Sequence, residues 1–179
     1  YLLSFILCFE RRSLYRSALF MPLAAVALVG MDVLLADVHV GPDLTVRLLA
    51  PLFALGLFVC CMACHGELAR SKPAPDRLTA FYLAVSAGGV LGAVLVAVVA
   101  PRVFDDFHEL PLAFVLSAAC LAWAILRDRA AAATRTARLA RSLAVAIVPM
   151  FLALRVGERL ADKPDPTDVA VRNFYGTLR

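Results

Sequence analysis

The chain is built from long apolar blocks that alternate with short charged stretches. Each block contains about 13 to 25 residues, the length that a helix needs to cross most or all of a bilayer. A water-soluble helix would carry a polar stripe along one side, and these blocks carry none. Hydrophobic residues make up 62% of the chain and charged residues 18%. The sequence therefore predicts an all-α, polytopic transmembrane helical bundle.

The positions of the apolar blocks predict about six membrane spans. The chain opens without Met and inside an apolar block, so we expect the first span to be truncated and to continue upstream. Pro101 and Pro111 bracket the connection between the fourth and fifth spans. The spans are expected at residues 1–9, 19–35, 44–64, 78–100, 110–126 and 139–154. We predict a transmembrane domain over 1–155 and a polar linker over 156–179 that leads toward a soluble domain beyond this chain.

Lysine and arginine are unevenly distributed among the five connections between the spans. Three connections are rich in them, and the two connections that alternate with these are poor. By the positive-inside rule the rich connections, residues 10–16, 65–77 and 127–141, face the cytoplasm. This pattern predicts a multi-pass membrane protein with these three connections in the cytoplasm. The net charge of +4 comes from these connections and not from a basic face on a soluble module, so we expect no nucleic-acid partner.

Cysteines and a histidine lie close together at the end of the third span. Cys61, Cys64 and His65 have the Cys-x-x-Cys-His spacing of c-type haem attachment, in which two thiols bond to the haem and the histidine ligates iron. A metal site that also uses Cys60 is the related alternative. However, the motif lies in an apolar span near the predicted cytoplasmic side, and c-type haem is normally attached on the outer side. We therefore predict neither a cofactor nor a metal ion.

The connection after the third span has the residues of a helical hairpin. Gly66 is suited to end the span in a left-handed conformation, and Glu67 and Arg70 have the spacing of an ion pair on one helical turn. The plain interpretation is a cytoplasmic turn that two prolines stiffen. The sharper interpretation is a docking loop for a cytoplasmic domain or partner, formed by His65, Gly66, Glu67, Arg70, Pro73 and Pro75.

The fourth span contains small residues at helical spacing. Gly88 and Gly92 form a Gly-x-x-x-Gly pair, and Gly89 with Ala93 repeats the spacing. In an apolar helix this pattern lets a neighbouring helix approach closely. A glycine-rich phosphate loop would need a preceding strand, and none is expected here. We predict a helix-packing face that contacts other transmembrane helices, either of a larger complex or of a homo-oligomer.

Ionisable residues within the spans are few. Asp32 and Asp37 lie near the outer end of the second span, and Arg47 lies near the outer end of the third. Either aspartate is a candidate ion-pair partner for the arginine at the membrane boundary. A transporter usually places charges near the bilayer midplane, and no span centre here carries one.

Most of the chain resembles the membrane region of bacterial fused proteins known as spermidine synthase-like. In that family a multi-helix, major-facilitator-like segment precedes a soluble domain of the polyamine aminopropyltransferase type. The opening residues 1–9 look like the same membrane region, and the final residues 172–179 are similar to the segment that enters the soluble domain. The most specific part of the resemblance is Cys64-His65-Gly66-Glu67-Leu68-Ala69-Arg70-x-x-Pro73-Ala74-Pro75, followed by Leu78-Thr79-x-Phe81-Tyr82-Leu83 and Ser86-x-Gly88-Gly89-x-x-Gly92.

The resemblance implies a multi-pass anchor in the bacterial inner membrane whose catalytic partner lies downstream. The family's S-adenosylmethionine-type site belongs to the soluble domain, so no catalytic residue is carried over to this chain. The first hypothesis is therefore a membrane-anchoring domain of a spermidine synthase-like fusion protein. The alternative is a structural or accessory transmembrane subunit of a larger membrane complex, in contact with the lipid bilayer. A transporter or a haem-binding membrane protein is the third.

Overall fold

The computed structural model describes residues 1–11, 14–37, 42–104, 108–127, 135–161, 171–173 and 176–178. The predicted all-α architecture is confirmed. In chain order, the helices are α1 (Leu2–Glu10), α2 (Ser17–Asp37), α3 (Pro42–Arg70), α4 (Leu78–Val94), α5 (Ala100–Val103), α6 (Glu109–Arg127) and α7 (Arg135–Ala161). Two short strands follow, β1 (Val171–Asn173) and β2 (Gly176–Leu178), which pair as an antiparallel hairpin.

Four helical segments among the described residues are long and apolar enough to cross a membrane. They are Ser17–Leu35, Arg47–Arg70, Pro75–Val103 and Glu109–Arg127, with mean hydropathies of 2.2, 2.1, 2.4 and 2.0. They contain most or all of the second to fifth predicted spans. The chain is therefore a membrane-embedded helical protein. The sixth predicted span falls in α7, where the side chains of residues 135–144 lie outside the described part, and it stays a prediction.

The chain divides into two compact units. The first contains residues 1–71 and 114–153, and the second contains residues 72–113 and 154–179. In the first unit, α2 and α3 are antiparallel neighbours, because Met31 late in α2 meets Gly56 and Tyr15 just before α2 meets Gly66. Small side chains allow close packing between these helices. The core consists of Met21, Ala24, Leu28, Met31, Cys60, Ala63, Phe114, Ala118, Leu121 and Leu152.

A second, smaller apolar cluster joins α1 to α3. It contains Cys8, Tyr15, Met62 and Ala69, each less than a tenth exposed. The thiol of Cys8 lies 3.6 Å from the carbonyl oxygen of Met62 and 3.8 Å from its sulfur. Because α1 is only nine residues long, these contacts and the polar contacts described below fix it against α3.

The second unit contains one long helical segment with a local irregularity. A 3₁₀ turn, Pro75–Arg77, leads into α4, and a π-helical turn, Leu95–Val99, joins α4 to α5. Pro101 follows this turn and lacks the N–H that would continue the regular ladder, which accounts for the change of hydrogen-bond pattern. The guanidinium of Arg102 donates to the carbonyl oxygen of Val98 at 2.6 Å. The helix therefore continues past Pro101, where the sequence predicts a connection.

The predicted boundaries at the ends of α3 and α7 also differ from the structure. The third span was expected to end at residue 64, and α3 continues to Arg70. The helix ends where the backbone N–H and the hydroxyl of Ser71 both donate to the carbonyl oxygen of Glu67. At the other end of the chain, α7 continues to Ala161, so the start of the predicted linker at residue 156 is helical.

Candidate functional site

Three consecutive residues near the end of α3 each contact a different part of the first unit. His65 faces α1, Gly66 lies under the ring of Tyr15, and Glu67 binds the hydroxyl of that tyrosine. These three residues, with Ser4 and Tyr15, are called the α3 clamp below. The expectation that His65, Gly66, Glu67 and Arg70 form a loop is wrong, since all four lie in the helix.

His65 is buried against α1 by one hydrogen bond and two aromatic contacts. Its Nδ1 lies 2.9 Å from the hydroxyl of Ser4, which itself donates to the carbonyl oxygen of Tyr1 at 2.7 Å. A hydroxyl has a single hydrogen, so Nδ1 of the imidazole carries the proton and donates to Ser4. The rings of Tyr1 and Phe5 meet the imidazole edge-on, with centroids at 4.8 and 5.4 Å. His65 is 7% exposed and Ser4 is 0% exposed, so this pair replaces contacts with solvent or lipid.

Gly66 is required where it is because an aromatic ring packs directly on its backbone. A Cβ built at this position would overlap three atoms of the Tyr15 ring. Any residue other than glycine must therefore displace that ring. This steric requirement, and not a left-handed helix end, is the role of Gly66 in the structure.

Glu67 links Tyr15 to Arg70. The phenol of Tyr15 donates to Oε1 of Glu67 at 2.8 Å, and Nη1 of Arg70 donates to the same oxygen at 3.0 Å. The glutamate side chain is 17% exposed and the arginine side chain 47% exposed, so the ion pair lies at the edge of the clamp. Burial raises the pKa of Tyr15, and the hydrogen bond to the Glu67 carboxylate raises it further. The phenol therefore stays protonated well into the alkaline range.

An open cleft lies beside the clamp. Its volume is 290 Å³, and its walls are Cys8, Tyr15, Gly66, Ala69 and Arg70. The alanine leaves room because its side chain is small, and the arginine is the exposed member of the lining. The cleft therefore combines apolar lining residues with one cationic side chain.

The residues of the predicted haem or metal motif lie on different faces of α3. Cys60 and Cys64 pack with the core cluster formed with α2 and α6, whereas His65 faces α1. Nδ1 of the histidine is engaged by Ser4. Among the described residues, no group of three or more His, Cys, Asp or Glu side chains is placed to hold a metal ion. The arrangement of Cys61, Cys64 and His65 thus fits helix packing.

The predicted packing face on α4 is open in the structure. Among the described residues, no neighbouring atom lies within 4 Å of a Cβ built at Gly88, Gly89 or Gly92, and Ala93 is exposed. Pro75 begins the 3₁₀ turn before α4, with Pro73 two residues earlier. These two prolines belong to the connection, as the sequence predicts, although the first part of the proposed docking loop is helical.

Asp32 is the most deeply buried charged side chain among the described residues, at 1% exposure. Arg47, its proposed partner, is exposed on the following helix. The alternative partner Asp37 lies outside the residues whose side chains are described. The ion pair between α2 and α3 therefore stays a prediction.

Sequence reasoning missed the two residues that complete the clamp. Ser4 is a single hydroxyl in an apolar block, and Tyr15 stands in the first arginine-rich connection. Each is separated from its partner by more than fifty residues, 61 for Ser4 and His65 and 52 for Tyr15 and Glu67. The available signals were a polar residue within an apolar helix and an aromatic residue beside a helix start.

The fold and the clamp define the class of protein, which is a membrane-embedded helical protein. Polar contacts join its α3 to α1 and to the connection between α1 and α2. Comparison of the chain with protein-family models, with curated proteins and with solved structures found no match.

Proposed function

We propose that this chain is a membrane-anchoring helical domain of a spermidine synthase-like fusion protein, without a catalytic site of its own. The observation that carries the proposal is the use made of the His65-Gly66-Glu67 segment. Its side chains and backbone bind Ser4 and Tyr15 and so tie α1 and the first connection to α3. The segment that is most specific for the resemblance therefore serves helix assembly, as an anchor requires.

The orientation that suits such an anchor places residues 10–16, 65–77 and 127–141 in the cytoplasm of a bacterial cell. In support, Arg11, Arg16 and Arg70 are exposed. Tyr15, which precedes Arg16, packs on Gly66 near the end of α3. Arginines at the cytoplasmic end of spans orient helices during insertion. Reporter fusions after residue 77 and after residue 104 test the orientation. An alkaline phosphatase reporter should be inactive after residue 77 and active after residue 104, and the reverse result would contradict the orientation.

The anchor proposal is tested on the protein in its native membrane. We expect extraction in a mild detergent, followed by intact mass measurement, to yield a polypeptide that extends past Arg179 into a methyltransferase-fold domain. Cleavage of that polypeptide near residue 165 should release the soluble part and leave the helical part in the membrane. A chain of this length that arrives in fixed ratio with other membrane proteins would instead contradict the anchor role.

One observation favours the alternative, an accessory subunit of a larger membrane complex. Only 6% of the span Pro75–Val103 is buried, against 28%, 28% and 22% for the other three candidate spans. A span with open glycines is suited to pack against a helix of another protein. If this role is correct, replacing Gly88 and Gly92 by leucine removes the co-purifying proteins. The matched control is Gly157→Leu, at a glycine with equally open surroundings.

A further inference from the structure

The cleft beside the α3 clamp has the shape and chemistry of a small amphipathic site. It is lined by Cys8, Tyr15, Gly66, Ala69 and Arg70, and of these residues Arg70 is the exposed one. At 290 Å³ it is near the lower limit of the volumes that small-molecule sites occupy, about 300 Å³. A compact polar group with an apolar neighbour fits it better than a large planar ligand.

Positive charge is concentrated around the opening of this cleft. Arg11 stands three positions after the lining residue Cys8, Arg16 adjoins Tyr15, and Arg70 is itself a lining residue; all three are exposed. Glu10, next to Arg11 in the sequence, is also exposed. Glu67 is mostly covered and is bonded to both Tyr15 and Arg70. In the sequence Arg12 adds a further positive charge to the same connection. The cationic groups therefore outnumber the acidic ones.

The cleft lies at the end of a candidate membrane span. The span Arg47–Arg70 ends at the arginine that lines the cleft. Residues at the end of a span lie at the level of the phospholipid headgroups. Basic pockets between transmembrane helices at this level bind anionic headgroups. A guanidinium is the side chain best suited to a phosphate, because its planar fork of N–H donors matches the phosphate oxygens.

We propose that this cleft binds the headgroup of an anionic phospholipid, with its phosphate on Arg70 and its glycerol portion against Ala69. The arginines Arg11 and Arg16 supply the surrounding positive potential. The site goes beyond the anchoring role, because an anchor needs only a bilayer and not a particular lipid. Its occupant would cover the open side of the contact between α1 and α3.

The test measures the lipid that the full chain keeps after purification. The protein is placed in nanodiscs of phosphatidylcholine with a minor fraction of phosphatidylglycerol, released in mild detergent, and examined by native mass spectrometry. We expect wild type to keep one phosphatidylglycerol per chain in preference to phosphatidylcholine. Arg70→Gln should lower this retention about tenfold, the effect of losing one charge-assisted hydrogen bond. Arg102→Gln is the matched control at an exposed arginine that does not line the cleft.

Two further measurements test whether the cleft itself holds the lipid. Ala69→Leu fills the cleft without a change of charge and should also reduce the retention of phosphatidylglycerol. If that variant does not fold, competition decides in its place: millimolar inorganic phosphate should leave the bound lipid on wild type. Equal loss in Arg70→Gln and Arg102→Gln, equal retention of the two lipids, or displacement by inorganic phosphate would each overturn the proposal. None of these outcomes depends on a soluble domain downstream, so failure here leaves the anchor proposal standing.

Discussion

The α3 clamp and α4 use the same residue type in opposite ways. Gly66 has an aromatic ring packed on its backbone, whereas within the described part of the chain no neighbouring atom lies within 4 Å of a Cβ built at Gly88. In the clamp the partner of the glycine comes from the same chain, and on α4 none of the described residues takes that place. Glycine in an apolar helix therefore indicates close packing without indicating whether the partner belongs to the chain. The two regions differ in polarity as well, since the clamp adds hydrogen bonds to the steric fit.

Hydrogen bonds inside the clamp have a physical reason. Polar groups removed from water cost free energy unless they are paired, and a membrane protein has few water-filled places to put them. Ser4 and His65 satisfy one another, and so do Tyr15 and Glu67. These pairs also require one relative position of α1 and α3, which apolar contacts alone would specify less sharply. The following predictions test whether the clamp and α4 differ as described.

The largest effect is expected at Gly66. Gly66→Ala introduces a Cβ into the space of the Tyr15 ring, and overpacking of this kind costs about 3 kcal/mol in the free energy of unfolding. Unfolding by sodium dodecyl sulfate in mixed micelles measures the change. Combining it with Tyr15→Ala should cost less than the sum of the two single changes, since the ring is then absent. Strict additivity of the two changes would contradict the contact.

Ser4→Ala is expected to have the next largest effect. It leaves Nδ1 of His65 without its acceptor in a site that is 7% exposed, which costs about 1.5 kcal/mol. The same micellar unfolding assay applies. Ser86→Ala on α4 is the control, because Ser86 is exposed. Similar losses for the two variants would show that the Ser4–His65 bond adds nothing specific.

Removing the Tyr15 hydroxyl is expected to cost about 1 kcal/mol, the value of one hydrogen bond. Because the folded protein raises the pKa of this phenol, its contribution is fully present below the unfolded value of about 10 and is lost as the pH rises above it. Stability of wild type should thus fall more steeply with alkaline pH than that of Tyr15→Phe. Glu67→Gln, which keeps an oxygen acceptor, should cost less than Tyr15→Phe. Parallel pH curves for wild type and Tyr15→Phe would contradict this prediction.

The smallest effect on unfolding is expected on α4. Gly88→Ala meets open space and replaces glycine inside a helix, so the isolated chain should be unchanged or more stable by about 0.5 kcal/mol. The informative readout is association, measured by energy transfer between labelled chains or by co-purification. A loss of stability as large as that of Gly66→Ala would show that a partner within the chain covers this face.

The pattern of residues along the chain was sufficient to predict the helices and most span positions. Apolar blocks of spanning length can satisfy their backbone groups in a bilayer only as helices, so a local property of the chain predicts the result. Four of the predicted spans coincide with long apolar helices, with errors of a few residues at their ends. The largest error among these four spans concerns the end of the third, which was expected at residue 64 although α3 continues to Arg70. Gly66 was interpreted as a helix end because glycine is common there, whereas its close contact with an aromatic ring depends on tertiary packing.

The α3 clamp could not be predicted in the same way, because its members come from separate elements. Ser4 and His65 are 61 residues apart, and Tyr15 and Glu67 are 52 apart. No local pattern connects such residues; they meet only when α1 and the start of α2 pack against the end of α3. Helix formation depends on each segment and its solvent, so sequence suffices for it. Which polar groups form hydrogen bonds with one another depends on how the helices pack, and only the tertiary structure decides this packing.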